Sequence, residues 1–265
     1  MYRNEKRRWL EINKRKNKGQ VTIFIIIAIL IVGLAVLFYF VIPRAEITTG
    51  FDEKNPSAFI QACLEDKIED TVELISLQGG SIAPEHYFTY NNINIEYLCY
   101  INENLELCVV QRPLLKQHIE SEIENEIRED VVTCFNALKE SYEEKNYNVD
   151  LVSGITNVEL LPKRIVTSFD YVLTVSRAQT DRYDSFSVVL NNNLYELISI
   201  TNSIIEWEAV EGEADPRTYM ALYNDFLIVE RNHRDDGTNI YVLTDKNIGN
   251  KFQFASRSLV FPPGH

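Results

Sequence analysis

ITNVELLPKRIVTSFDYVLTVSRAQTDRYDSFSVVL, residues 155–190, sets the class of the fold. Apolar and polar side chains alternate along it in three runs, at 158–161, 165–176 and 183–190, the pattern of strands with one buried face. Pro162-Lys163 and the residues around 179–181 separate the runs with turn formers. Connections this short join antiparallel neighbours, so the segment predicts an antiparallel meander.

Helical patterns lie on both sides of it. Upstream, Asn55-Pro56 reads as a cap and first turn, followed by Phe59, Ile60, Cys63, Leu64, Ile68, Val72 and Ile75 and a stop at Gly79-Gly80. Residues 81–110 read as short strands and turns rich in Tyr, Phe and Ile. Pro113 then opens a longer helix in which Leu115, Ile119, Ile123, Ile127, Val131 and Phe135 recur every four residues. Leu138 and Tyr142 continue that stripe, and Glu120, Glu122, Glu124, Glu126 and Glu129 form the opposite, solvated face. Downstream, a helix at about 194–208 turns Leu194, Leu197, Ile198, Thr201, Ile204 and Ile205 inward. Asp215-Pro216 begins a short helix with Tyr219, Met220 and Leu222. Strands at 226–231, 240–244 and 252–260 close the chain, with turns at Asp236-Gly237 and Gly249. The domain is therefore α+β, amphipathic helices with antiparallel sheet, over residues 55–265. A division into halves 55–148 and 149–265 falls in the polar stretch between Asn146 and Gly154.

A different kind of segment precedes it. From Gly19 to Pro43 no side chain is charged, and the run from Val21 to Ile42 holds 17 Ile, Leu, Val or Phe residues. As a helix it is about 33 Å long, enough to cross a hydrocarbon core. Those residues contribute roughly −5 to −10 kcal/mol toward insertion. Residues 1–18 carry eight basic side chains against Glu5 and Glu11, whereas residues 44–265 carry 18 basic and 37 acidic ones. That asymmetry predicts a basic cytoplasmic end (1–18), a transmembrane helix in the lipid bilayer (19–43), a short linker (44–54) and an extracytoplasmic acidic domain. The acidic domain would repel phosphates, which excludes nucleic acid as its partner. The run is too long for a cleaved secretory h-region and lacks an A-x-A site, so it is retained.

Cys63, Cys99, Cys108 and Cys134 are an even set in a domain placed outside the cytoplasm, which predicts disulfides. Cys99 and Cys108 flank Asn102, Glu103 and Asn104, a hairpin-turn sequence, while Cys63 and Cys134 lie on two expected helices. The expected pairs are Cys99–Cys108 and Cys63–Cys134, the latter adding roughly 3–4 kcal/mol by the chain-entropy model. Zinc is the alternative use of these thiols, but no CxxC or CxH spacing supports it.

Catalytic patterns are sparse. His86, His118, His233 and His265 show no metal-ligand spacing, and GxSxG, GxGxxG and Walker sequences are absent. His118 and Glu122, four apart on a helix, suit a solvated pair better than a base and its orienter. His233-Arg234-Asp235 matches a kinase triplet without the rest of that signature, and its place before Asp236-Gly237 makes it a hairpin turn. Asp235, Asp236 and Asn239 lack the spacing and closing Glu of a calcium loop. Tyr87, Phe88, Tyr90 and Tyr97 offer either a sugar-stacking platform or core packing. No cofactor, metal or catalytic residue is assigned.

The junction Lys18-Gly19-Gln20-Val21-Thr22 resembles the archaeal class III, type IV pilin-like signal peptide. The resemblance implies cleavage by a prepilin peptidase between Gly19 and Gln20, with the apolar helix kept on the mature protein. Thr22 matches the small hydroxyl residue at the third mature position; Phe24 stands at the fifth, where many pilins carry Glu. The chain is also similar to archaeal membrane-anchored surface proteins with this anchor, paired cysteines, a central Leu194-Tyr195-Glu196-Leu197-Ile198 helix and a C-terminal Pro262-Pro263-Gly264. The expected function is a non-enzymatic, single-pass cell-surface protein working with other surface-complex proteins. A membrane-anchored receptor for a solute or glycan is the rival, and an exported hydrolase ranks third.

Overall fold

A computed structural model describes residues 52–261, together with Leu30 and Ile31. The expected span from Val21 to Ile42, apart from those two helical residues, and the Gly19–Gln20 junction lie outside the described residues. Among the described residues no helix is long and apolar enough to cross a membrane. Met1–Thr48 and Thr49–His265 are separate compact units, and the second is described below.

That unit is α+β. Its first helix, α1, runs Pro56–Leu77; the Asn55 side chain accepts the Ala58 amide and Pro56 occupies the first turn, as the cap residues dictate. The hairpin β1 (Tyr87–Tyr90) and β2 (Ile93–Tyr100) follows, then a two-residue β3 (Val109–Val110). The single helix expected from Pro113 onward is two, α2 (Leu115–Glu126) and α3 (Arg128–Glu143), joined through Ile127, whose ψ is −4°. Hydrogen bonding continues across the joint, from Ile127 N–H to Ile123 C=O and from Val131 N–H to Ile127 C=O. The joint falls within the four-residue repeat. Four residues turn a helix about 40° beyond a full circle, so the stripe from Leu115 to Phe135 would wind about 200° around a straight helix. The joint lets each half present its own apolar face.

The meander expected at 155–190 holds five strands rather than three, and a sixth precedes it. They are β4 (Asn148–Val152), β5 (Thr156–Leu161), β6 (Arg164–Phe169), β7 (Val172–Ser176), β8 (Thr180–Tyr183) and β9 (Phe186–Asn191). They form two three-stranded sheets, β4-β7-β8 and β5-β6-β9. Both sheets derive from one meander broken across its middle, since each of its three legs gives one strand to each sheet. The register slips by one residue at the break: Asn148 faces Ser176, whereas Thr156 faces Phe169. Gly154 sits at this corner because a Cβ there would lie 1.9 Å from the Asp170 carbonyl oxygen. Behind it, Phe135 of α3 stacks on Tyr171 at 4.0 Å between ring centroids and meets Phe169 and Phe186 edge-on. The polar stretch read as a division between halves contains β4, and Thr49–His265 stays one unit.

Two helices and three strands complete the chain: α4 (Leu194–Glu211), α5 (Pro216–Leu222), β10 (Leu227–His233), β11 (Asn239–Asp245) and β12 (Lys251–Arg257). Helix α4 ends where Gly212 adopts a left-handed φ of 87°. The last three strands form antiparallel pairs, but β12 then joins β2 in parallel, giving a mixed sheet of order β1-β2-β12-β11-β10 with β3 beside β2. A purely antiparallel sheet was expected; the parallel pair arises because the whole intervening chain serves as the crossover.

Both cysteine pairs are bonded, Cys63–Cys134 between α1 and α3 and Cys99–Cys108 across the loop from β2 to β3, leaving no free thiol. With sequence separations of 71 and 9, the chain-entropy model gives about 4 and about 2.5 kcal/mol. Replacing Cys63 and Cys134 by Ser should therefore lower the guanidinium unfolding free energy more than the same change at Cys99 and Cys108. Equal losses would show that the bonds act through native contacts instead of the unfolded chain.

Candidate functional site

The densest polar constellation lies where α1 hands over to the mixed sheet. Gly79 and Gly80, with φ of 86° and 112°, reverse the chain after α1. Gly79 lets it close on β2, where the Glu96 N–H donates to Gln78 C=O at 2.9 Å. This delivers Ser81 into the sheet–helix junction. Its hydroxyl donates to Glu96 Oε2 at 2.5 Å and lies 2.7 Å from His118 Nε2 of α2. Arg112 pairs with Glu96 Oε1 at 2.6 Å.

Serine, histidine and glutamate in contact invite a nucleophilic reading, and the direction of the hydrogen bonds decides against it. Ser81 has one proton, and the Arg112-paired carboxylate of Glu96 can only accept it. His118 Nε2 must then donate to Ser81 Oγ, whereas an activating base would accept from that oxygen. Ser81 is also 4% exposed and Glu96 2%. The chain His118–Ser81–Glu96–Arg112 is a buried clasp joining α2, the α1 exit and β2. Glu122 takes no part in orienting His118; its Oε2 accepts the Ile82 N–H at 2.9 Å.

Other glutamates expected on a solvated face do similar work. The free edge of β5 donates its Val158 and Leu160 amides to Glu124 and Glu120, at 2.9 and 2.7 Å. Four helical residues rise about 6 Å and two strand residues about 6.7 Å, so carboxylates one turn apart match alternate amides of a strand.

A second buried carboxylate, Glu208, is fully enclosed at the end of α4. Its Oε1 accepts the Ala214 N–H at 3.1 Å and the Tyr241 hydroxyl, and its Oε2 accepts Ser256 Oγ at 2.9 Å. Burial pushes its carboxyl above the ordinary range, and the donors from Tyr241, Ala214 and Ser256 only partly oppose this. Tyr241 is driven upward by its own burial and then by the Glu208 charge.

Of the residues singled out in the sequence, all four cysteines are in disulfides, which removes the thiolates that zinc would need. Among the described residues no group of three or more His, Cys, Asp or Glu is placed to hold a metal. His233 Nδ1 meets Asn239 Oδ1 at 3.0 Å, and Arg234 and Gly237 close the expected hairpin turn. The aromatic stretch belongs largely to the back of the mixed sheet: Tyr97 is buried with Ile95, Ile240 and Ala255, while Phe88, Tyr90 and Tyr100 pack around them. His86 stacks against Tyr97 and Tyr100. Three clefts, of about 220, 470 and 230 Å³, are lined by no residue between 87 and 100. Gly19, Gln20 and His265 lie outside the described residues. Glu208 was legible, since it follows Ile204 and Ile205 on the buried stripe of α4. Ser81 and Glu96 gave no local signal, because only the fold brings them together.

No protein-family model, curated protein or solved structure matches the chain.

Two measurements test these polar centres. Ser81→Ala strips Glu96 of a donor and His118 of an acceptor and should cost about 1–3 kcal/mol in urea unfolding; no change would mean that water replaces the hydroxyl. For Glu208, the raised carboxyl favours the protonated fold, so its stabilising effect is complete below the unfolded value of about 4.3 and is lost as pH rises toward the folded value. Stability followed from acidic to neutral pH should therefore fall more steeply in the wild type than in Glu208→Gln. Parallel curves would refute the raised value.

Proposed function

We propose that the protein is a non-enzymatic, single-pass component of the cell surface. Residues 1–18 stay cytoplasmic, the run from Val21 to Ile42 crosses the lipid bilayer, and the α+β unit stands outside. The observation that carries this reading is the use of every cysteine in a disulfide. Such bonds form and persist in oxidising, extracytoplasmic surroundings, and here they follow an uncharged run with a basic segment behind it.

The Gly19-Gln20 junction supports processing of the class III type by a prepilin peptidase, and with it a role in attachment, envelope assembly or a pilus-related surface complex. The non-enzymatic part rests on the clasp, whose bond directions run against activation of Ser81. The receptor reading depends on open aromatic faces between residues 87 and 100; Tyr97 is buried at 5% exposure and Tyr87 is open at 44%, but none of the three clefts is lined by that stretch.

Intact-mass and N-terminal peptide analysis of the protein from its native membrane tests this. A mature chain beginning at Gln20 and retained in the membrane fraction is expected. A chain beginning at Met1 in that fraction would leave an ordinary signal anchor. Recovery in the soluble cytoplasmic fraction with reduced cysteines would refute the reading altogether.

A further inference from the structure

The largest of the three clefts, about 470 Å³, lies where the C-terminal half of α1 faces the β11–β12 turn. A space of that size takes a small molecule. Two polar side chains in its wall have no partner among the described residues. Ser76 is 5% exposed, and its hydroxyl makes no hydrogen bond, whereas Thr71 of the same helix donates to the Lys67 carbonyl. Asn250 Nδ2 is buried and unpaired. Its Oδ1 is unpaired too, so a half-turn of the amide brings either group to the cleft without breaking a hydrogen bond of the protein. Unpaired buried polar groups weaken a fold. Folding alone would favour Ala at 76, the better helix former.

The charged residues of the wall are unpaired as well. Glu69 and Glu73 are exposed and stand one turn apart on α1, a like-charged pair that weakens a helix. Lys251, at the start of β12, is exposed in the same cleft and forms no salt bridge with either of them. An ion pair serving stability would close; these opposite charges share a cleft and stay apart. Val72, Leu77 and Ile248 supply the apolar part of the wall.

These charges select the ligand class. The two glutamates have no third ligand placed to complete a metal site. A simple organic cation would meet Lys251, and a simple anion would meet both glutamates. A zwitterion satisfies both ends. We propose that this cleft binds a free amino acid. Its ammonium lies at Glu69 and Glu73, its carboxylate at Lys251 with the Asn250 amide and the Ser76 hydroxyl as donors, and its side chain along Val72, Leu77 and Ile248. The inference adds a ligand to the surface component proposed above and does not rest on its anchor.

The test uses the full chain in phosphatidylcholine nanodiscs, titrated calorimetrically with each common amino acid in turn. The amine and the carboxylic acid corresponding to the tightest binder follow, with glucose as the neutral probe. Saturable binding of an amino acid with an apolar side chain is expected, with the amine and the acid each about tenfold or more weaker. Glu69→Gln with Glu73→Gln should abolish the preference over the acid, and Lys251→Gln the preference over the amine. Ser76→Ala should weaken binding about threefold while leaving the melting curve of the free protein unchanged or raised, because the hydroxyl it removes has no partner. Binding of no amino acid, equal binding of an amino acid and its singly charged analogues, or binding indifferent to the charge variants overturns the proposal. Glucose bound in preference to every amino acid would also overturn it, in favour of a polyol.

Discussion

The unit depends on the way α1 is buried. Ile60, Leu64, Ile68 and Val72 are each at most 3% exposed and stand four apart, so the stripe winds about 40° per step around the helix. One end of α1 therefore meets α3, where Cys63 bonds Cys134. Toward its C-terminus the buried face widens to take in Thr71, Ile75 and Ser76. The helix packs against α2, α3, β9 and β12, and so belongs at once to the meander and to the mixed sheet. A straight, narrow stripe could serve one neighbour; a winding one couples the two sheet systems into one core.

Polar groups close the junctions that this coupling leaves. The Ser81 clasp seals the exit of α1 against β2 and α2, and Glu208 seals the end of α4 against β11 and β12. Between them, Glu120 and Glu124 receive the amides of an edge strand that has no strand beyond it. Buried or half-buried acceptors of this kind are strong when satisfied and costly when not. Part of the acidic surplus is thus structural, and it fixes the positions of backbone donors that water would otherwise satisfy less specifically.

The sequence made most helices and strands legible because capping and period are local. Asn55-Pro56, Asp215-Pro216 and Gly212 set helix ends through their own backbone chemistry. The division at Ile127 was not legible: the four-residue repeat reads as one helix, and α1 carries the same repeat from Ile60 to Val72 unbroken. The break in the meander was also hidden: residues 165–176 read as one strand because Asp170 and Tyr171 preserve turn-free, alternating character. Their role emerges from Phe135, a contact from a distant helix. Pairing of β2 with β12 and the convergence of Ser81, Glu96 and His118 are further from reach, since they join residues with no shared local period.

The two disulfides act on different quantities. Cys63–Cys134 spans 71 positions and removes much freedom from the unfolded chain. Cys99–Cys108 spans nine and removes less, and its loop has a left-handed Leu105, backbone bonds to residues 259 and 260, and an amide held by Ser258. Ser258 also donates to the Glu208 backbone carbonyl, so the loop is fixed to the end of α4. The short bond therefore does two things: it joins two core sulfurs, those of the buried Cys99 and Cys108, and it orders the turn between them.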